Sequence, residues 1–541
     1  MVEYPGAMRR TAGVAIQSAL IAGVLAGVWL IVDPPSTDLA AHLYRAQLFT
    51  HHGFVIWDGQ WYGGHHTPAY SVIYPPLAAL IGVRLVGALS APLAAAAFGL
   101  LATRTLGTRA RWGALWFAAA TLTSLLSGRL PFAAGTALGL CALASASYPG
   151  ARAGALAIAF ALACTLTSPV AGLFLALAGA AWLLASRRLL GLGLAIAALA
   201  PIAVLTALFP EGGHEPFAFG VFWPAAALAV GLAAVAAAVR VRGTRVLVTG
   251  SAIYLLACIA AYWIHTPLGS NTSRLAALVA GPLIACLLLC VNVSGSKARL
   301  ARATLAALVV PALWFQWNNG IKDVRTTWGD PATKAAYYQP LLDFLASRPG
   351  PFRIEIPFTV HKFEAAYVAP RFPLARGWER QLDYRDNALF YDPGRPLTAA
   401  NYASWLDAAG VGYVALPDAQ LDYSAFAEAE LLRTNQVPGL REVFHSAHWI
   451  VWQRPSARLV VGAGQLVSLG VDSFTLAAGR PGPILVRERD TPYWTIAQGS
   501  GCVGPARGGW TLVTPRRPER LRIDARFSFG RVLHHGPNCR A

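Results

Sequence analysis

The chain has 541 residues, 55% of them hydrophobic and 13% charged, whereas soluble domains carry roughly 25% charged residues. That balance excludes a wholly soluble globule and a disordered chain, and leaves the lipid bilayer as the expected surroundings. The formal net charge of +18 does not imply nucleic acid, because much of the arginine surplus falls in short loops between apolar runs, as the positive-inside rule predicts. An anionic lipid ligand is compatible with it.

Met8-Arg9-Arg10 precedes an apolar run from Thr11 to Val32. The run is long and lacks a small-x-small cleavage site, so it reads as an anchoring helix rather than a signal peptide. Further spans are expected at Leu77–Thr103, Trp112–Ser127, Leu130–Tyr148, Ala153–Leu166, Val170–Ala185, Leu189–Phe209, Phe217–Val239, Val246–Ile264, Leu275–Val293 and Leu300–Trp314. Alternate loops carry the basic residues: Arg104/Arg109/Arg111, Arg152, Arg187/Arg188, Arg240/Arg242/Arg245 and Lys297/Arg299/Arg302. The expected fold class is therefore a polytopic α-helical membrane protein of about eleven spans, N-terminus inside and C-terminus outside. Arg84 falls inside the second expected span, where it must either snorkel or face a polar cavity.

From Gln316 the composition turns soluble. Helices are expected at Ala332–Ala346 and Ala399–Ala409, strands at Phe352–Phe358 and Val411–Leu416, and a hairpin over Leu440–Gln453. Beyond Pro455 only short strands are expected, at Leu459–Val461, Ser473–Leu476, Ile484–Arg487, Trp510–Val513 and Leu521–Phe527, as in a β-sandwich. The expected domains are a membrane domain over 1–316 with a large first outer loop at 33–76, an extracytoplasmic α/β domain over 317–455, and an extracytoplasmic β-rich domain over 456–541. Five of the seven cysteines lie in apolar spans, and Cys502 and Cys539 are the natural disulfide pair if the C-terminal region is outside.

The chemistry concentrates in the first outer loop. Between Met1 and Trp317 the acidic residues are Glu3, Asp33, Asp38, Asp58, Glu211 and Glu215. A helix opened by Pro34-Pro35 and capped by Ser36 or Thr37 would set Asp38, His42 and Arg45 on one face. The plainer role for Asp38 is to serve the helix dipole and pair with His42. The loop also holds Trp57, Asp58, Trp61, Tyr62, Tyr70 and His65-His66 beside Gly63-Gly64. Its aromatics suit sugar stacking, or an interfacial belt. Arg129 and Arg274, the latter in Gly269-Ser-Asn271-Thr-Ser-Arg274, are outer-side cations that depart from the inside bias. Glu211, His214 and Glu215 form a second polar patch, a metal site or a solvated loop. Arg376-Gly-Trp378-Glu379-Arg380-Gln381-Leu-Asp383 either closes over a site or forms an interdomain salt-bridge cluster.

The early Asp38 in the outer loop resembles the GT-C superfamily, multi-spanning glycosyltransferases that use polyprenyl-phosphate-linked sugars. Thr37-Asp38-Leu-Ala-Ala-His42-Leu-Tyr-Arg45, with Trp57…Trp61-Tyr-Gly-Gly and Tyr74-Pro75-Pro76-Leu, looks more narrowly like a bacterial and archaeal branch of membrane proteins. Some of that branch carry the label 6-pyruvoyl-tetrahydropterin-synthase-related, which is not read as pterin chemistry here. The resemblance covers the membrane half and Trp405-Leu…Val411-Gly-Tyr-Val-Ala-Leu416, and Asp58 is its candidate for a second carboxylate.

It implies an inverting sugar transfer outside the cytoplasm, from a polyprenyl-phosphate sugar to a cell-envelope glycan or lipid acceptor. Asp38 would be the general base. Cations such as Arg45, Arg129 and Arg274 would hold the departing phosphate. His42, Trp57, Asp58, Trp61, His65, His66 and Asn271 complete the expected substrate-binding set. No cofactor is required by these residues, and a divalent cation on the phosphate stays open. The alternatives are a transporter or flippase for a lipid-linked glycan, which calls for ionisable groups or broken helices at the bilayer midplane, and a non-catalytic cell-envelope scaffold.

Overall fold

The computed structural model describes residues 5–186, 188–239, 243–290, 296–534 and 536–540. Arg187, Arg240, Arg242, the far end of the expected Leu275–Val293 span and His535 lie outside these residues. The chain separates into two compact units, one of residues 1–39, 70–206 and 214–328, the other of 40–69, 207–213 and 329–541. Most of the first outer loop thus belongs with the C-terminal residues and not with the apolar helices.

Apolar runs bounded by Pro, Gly and Ser give the helices of the first unit: α1 (Pro5–Val32), α2 (Leu39–His52, continuing into the second unit), α3 (Tyr74–Ile81), α4 (Val83–Leu106), α5 (Arg111–Leu126), α6 (Leu130–Ala146), α7 (Ala151–Thr167), α8 (Pro169–Ala185), α9 (Arg188–Leu208), α10 (Phe219–Val239), α11 (Thr244–Trp263), α12 (Arg274–Cys290) and α13 (Ser296–Thr327). Among the described residues six helices are long and apolar enough to cross a membrane, and α6, α7 and α8 are shorter apolar helices. In the first unit α1 packs along α4 and α5, α4 on α6, α6 on α7, α10 on α11, and α12 on α5 and α13. The shared core is rich in alanine, including Ala114, Ala120, Ala137, Ala157 and Ala161. Side chains this small let helix backbones approach closely where lipid offers no hydrophobic drive.

The second expected span divides at Gly82 into α3 and α4, so Arg84 sits in the first turn of α4, at the very end of the apolar span Val83–Leu106. There its Nε meets Asp33 at 2.6 Å, an Nη donates to the Pro34 carbonyl at 2.7 Å, and the guanidinium lies 4.9 Å from the Trp29 ring centroid. At the far end, α13 continues past the expected boundary at 316 to Thr327.

The second unit holds α14 (Ala335–Ala346), α15 (Glu364–Tyr367), α16 (Arg380–Asp386), α17 (Ala399–Ala409), α18 (Phe426–Arg433) and α19 (Phe529–Leu533). Its first sheet comprises β1 (Arg353–Glu355), β2 (Val411–Pro417), β3 (Arg441–His445) and β4 (Trp449–Gln453), in the order β1-β2-β4-β3. The β1–β2 pair is parallel and the others antiparallel. α17 begins at a capping box between Thr398 and Asn401 and packs Tyr402 and Leu406 into the sheet's core.

The remaining strands are β5 (Val460–Gly462), β6 (Gly464–Leu469), β7 (Ser473–Ala478), β8 (Ile484–Arg489), β9 (Trp494–Gln498), β10 (Gly501–Pro505), β11 (Trp510–Pro515), β12 (Arg520–Ala525) and β13 (Asn538–Arg540). They form a five-stranded sheet, β13-β10-β11-β8-β5, and a four-stranded sheet, β6-β7-β12-β9. Alternate residues of β7 and β8 point inward, with Phe474, Leu476, Ile484 and Val486 buried. A disulfide joins Cys502 to Cys539 between β10 and the edge strand β13 that pairs with it.

Candidate functional site

In the first unit three chain turns bring polar groups together among apolar helices. The first is the segment before α2. α2 starts at Leu39, so Asp38 lies ahead of it, and the expected single face of Asp38, His42 and Arg45 does not form. The physical reason is the turn: the Asp38 N–H donates to the Ser127 carbonyl at 3.4 Å and the Leu39 N–H to the Ser36 carbonyl at 3.1 Å.

The second is Ser127-Gly128-Arg129, between α5 and α6. Gly128 takes φ +72°, and a Cβ there would stand 2.4 Å from the Ser36 hydroxyl, so the close approach of the two loops requires glycine. Arg129 precedes α6 and accepts the Ala133 N–H on its carbonyl.

The third is the 3₁₀ turn Gly269–Ser273, which contains Asn271 and delivers Arg274 as the first residue of α12. The turn is pinned by Tyr254, whose hydroxyl donates to the Thr272 carbonyl at 2.9 Å, and by Ser270, whose hydroxyl donates to Glu215 at 3.0 Å.

Arg274 stands within electrostatic reach of Arg129, Asp38, Tyr70 and Glu215, and its guanidinium lies 5.5 Å from the Phe132 ring centroid. A further carboxylate joins them. Asp323, beyond the apolar part of α13, accepts a hydrogen bond from the Ser127 hydroxyl and faces Arg129, Asp38 and Lys322. Burial raises its carboxyl above the ordinary carboxylate range, against the opposing pull of Arg129. Reading the soluble region from Gln316 onward hid this residue. The signal that finds it is the helical continuation Asn318-Asn319-Gly-Ile-Lys322-Asp323.

Arg129 and Arg274 line a small polar recess with Ser124, Ser127, Gln316 and Asn319. Gln316 is fixed there, donating to the Ala277 carbonyl at 2.9 Å and accepting from the Trp116 indole at 2.8 Å. Phe132 and Leu278 line this recess and also a much larger cavity of about 270 Å³. The larger cavity runs among α4, α6, α8, α10, α11 and α12 and is walled almost wholly by apolar side chains such as Phe98, Phe174, Leu232 and Leu283. The cationic recess and the apolar cavity thus adjoin at Phe132 and Leu278.

The other residues expected at the site lie in the second unit. Arg45 pairs with Glu379. His42 is buried, its ring 6.4 Å from that of Trp378. Asp58 is wholly buried, accepting the Tyr44 hydroxyl on both oxygens at 2.9 Å and the Gln60 N–H at 2.9 Å. Burial pushes its carboxyl up to about 7. His65 stacks on Trp61 at 5.4 Å and is driven down to about 3 by burial. His66 meets Glu211 at 2.8 Å and Thr491 at 3.0 Å.

Trp57, Trp61 and Tyr62 are buried at 3%, 0% and 2% exposure. They pack within the second unit, so neither an open stacking platform nor an interfacial belt describes them. Gly63 and Gly64 both take positive φ, which suits glycine. Gly64 takes φ +124°, and a Cβ there would stand 2.0 Å from the Trp57 ring.

The patch of Glu211, His214 and Glu215 divides. Glu211 faces His66 and Arg385, whereas the His214 ring lies 4.3 Å from that of His265. Among the described residues no group of three or more His, Cys, Asp or Glu could hold a metal ion. The charged run around Trp378 is an internal network of the second unit. Arg376 is fully buried, 2.8 Å from Asp383, 3.3 Å from Glu428 and 3.7 Å from Glu355, and Arg380 pairs with Asp422 at 2.6 Å. Comparison with protein-family models gave no match, and comparison with curated proteins gave none either.

Proposed function

We propose that this protein is a membrane glycosyltransferase of the GT-C kind, taking a sugar from a polyprenyl-phosphate donor to a cell-envelope glycan or lipid acceptor. In this reading the helices cross the bilayer about eleven times, with the N-terminus inside and both C-terminal domains outside. What supports it is one juxtaposition: Arg129 and Arg274 line a recess that shares Phe132 and Leu278 with the 270 Å³ apolar cavity, and Asp38 lies in the electrostatic field of Arg274. The cavity would take part of the isoprenoid chain and the guanidiniums the phosphodiester, whose single negative charge becomes two as the sugar leaves and so suits forked N–H donors.

The reaction then needs little else. The acceptor hydroxyl oxygen attacks the anomeric carbon from the face opposite the phosphate, Asp38 removes its proton, and the C–O bond to the phosphate breaks with its electron pair leaving on the lipid phosphate. Anomeric configuration inverts because there is one displacement. Arg129 and Arg274 stabilise the charge that grows on the departing phosphate. The residues of the second unit enter this chemistry only through acceptor binding.

The test is transfer by the purified full chain in lipid, offered a panel of labelled polyprenyl-phosphate sugars with polyprenyl phosphate or uncharged polyprenol as competitor. Turnover that polyprenyl phosphate inhibits and polyprenol does not fits the reading. No turnover with any donor, together with no binding of polyprenyl phosphate, sinks it.

A further inference from the structure

The opposite end of the first unit carries a second polar cavity, of about 620 Å³. It lies where apolar spans stop: Arg10 is the first residue of the span Arg10–Val32, Leu289 is the last of Gly269–Leu289, and the turn Thr108–Ala110 follows Val83–Leu106. Three arginines line it, Arg10, Arg109 and Arg111, with Thr108 and Gln17, and among the described residues no Asp or Glu lines it. Its apolar side is formed by Trp112 and Leu289, which are 54% and 41% exposed. The Arg111 guanidinium lies 4.7 Å from the Trp112 ring centroid, within the range of a cation–π contact.

These features specify a ligand with two parts. Guanidinium forks recognise phosphate oxygens, and an indole exposed at the end of a span sits at headgroup depth, beside acyl chains. We infer that this cavity binds the phosphodiester headgroup of an anionic glycerophospholipid, with its acyl chains running down past Trp112 and Leu289. A free phosphate would satisfy the arginines but would make no use of the apolar side. The site is separate from the recess of Arg129 and Arg274, and it stands whether or not sugar transfer does.

The experiment uses the full chain in phosphatidylcholine nanodiscs, with phosphatidylglycerol or cardiolipin added and bound lipid counted by native mass spectrometry. Wild type is expected to retain the anionic lipids over phosphatidylcholine. R109Q/R111Q should weaken retention about thirtyfold, as loss of two arginines near an anionic headgroup implies. If that pair does not fold, T108E, which sets a carboxylate in the exposed cavity wall, should produce a similar loss. R152Q removes an exposed arginine from the first turn of α7, outside the cavity lining, and should leave retention unchanged. Equal retention by the cavity variants overturns the site, and an equal loss in R152Q reduces it to general surface charge. Displacement of the lipid by millimolar inorganic phosphate reassigns the cavity to a free anion.

Discussion

Replacing Asp58 by Asn would isolate how burial sets charge in the second unit. Burial moves the Asp58 carboxyl from the ordinary 3.8 to about 7. A carboxyl raised on folding keeps a proton that the unfolded chain has already released. Its contribution to stability is therefore fully present below about pH 4 and is lost as pH rises through about 7. The slope is about 1.4 kcal/mol per pH unit, so the swing over roughly three units is about 4 kcal/mol. Asn has no proton to lose. It keeps one oxygen to accept from Tyr44 and Gln60 and gives up the second acceptor, a cost of about 1 kcal/mol. D58N should then match wild type closely at pH 4.5, where about 1 kcal/mol of the swing is already lost, and be more stable at pH 8 by about 3 kcal/mol. Glu488 adds in the same sense, because burial first and the Asp58 charge among the further causes push it up to about 8. The assay is pulse proteolysis of the full chain in micelles across urea, repeated from pH 4.5 to 8 and read on C-terminal fragments. Parallel pH curves for the two proteins would refute the reasoning, since Asp58 would then ionise alike in folded and unfolded chains.

Three further outcomes are expected. R274A should lower sugar transfer about a hundredfold or more with helix content unchanged by circular dichroism, as loss of a charge-stabilising donor does; unchanged turnover would remove Arg274 from phosphate binding. R376M should destabilise the second unit by about 3–5 kcal/mol, because Asp383 and Glu428 lose the buried guanidinium between them. Adding E428Q should recover part of that in urea-midpoint measurements, and no recovery would place the loss in packing instead. C502S opens a bridge spanning 37 residues and should cost about 4 kcal/mol by the loop-entropy relation, read as a lower melting temperature that reductant reproduces in wild type but not in the variant.

The helices were legible because apolar runs ended by Pro, Gly or charge leave few alternatives: α17 begins and ends at Ala399 and Ala409 as the 3.6-residue pattern and the Thr398 cap predict. Strands were legible where alternation was strong, as in β7 and β8. β6, β9, β10 and β13 were missed; Gly464, Gly499 and Gly501 sit at or beside ends of the first three and interrupt the alternation there. The site was half legible. Charge scarcity singled out Asp38, and departure from the inside bias singled out Arg129 and Arg274. Sequence nearness, however, did not reveal the partners of His42, Arg45 and the loop aromatics. Those side chains find their partners far along the chain, Arg45 at Glu379 and Trp57 at Trp494, and no local period encodes such pairings. Asp323 was missed for the opposite reason: the helix that carries it outlasts its own hydrophobicity.

The central claim is that a carboxylate at the cationic recess takes the acceptor's proton, and two neighbouring acids make the claim sharp. Single-turnover sugar transfer from a labelled polyprenyl-phosphate donor should be compared for wild type, Asp38→Asn and Asp323→Asn at matched folding. With Asp38 as base, Asp38→Asn loses about a hundredfold or more, and donor binding stays within a few-fold of wild type. Asp323→Asn, which keeps an acceptor for the Ser127 hydroxyl, loses far less. Equal turnover by wild type and Asp38→Asn, or a larger loss at Asp323 than at Asp38, would contradict the assignment.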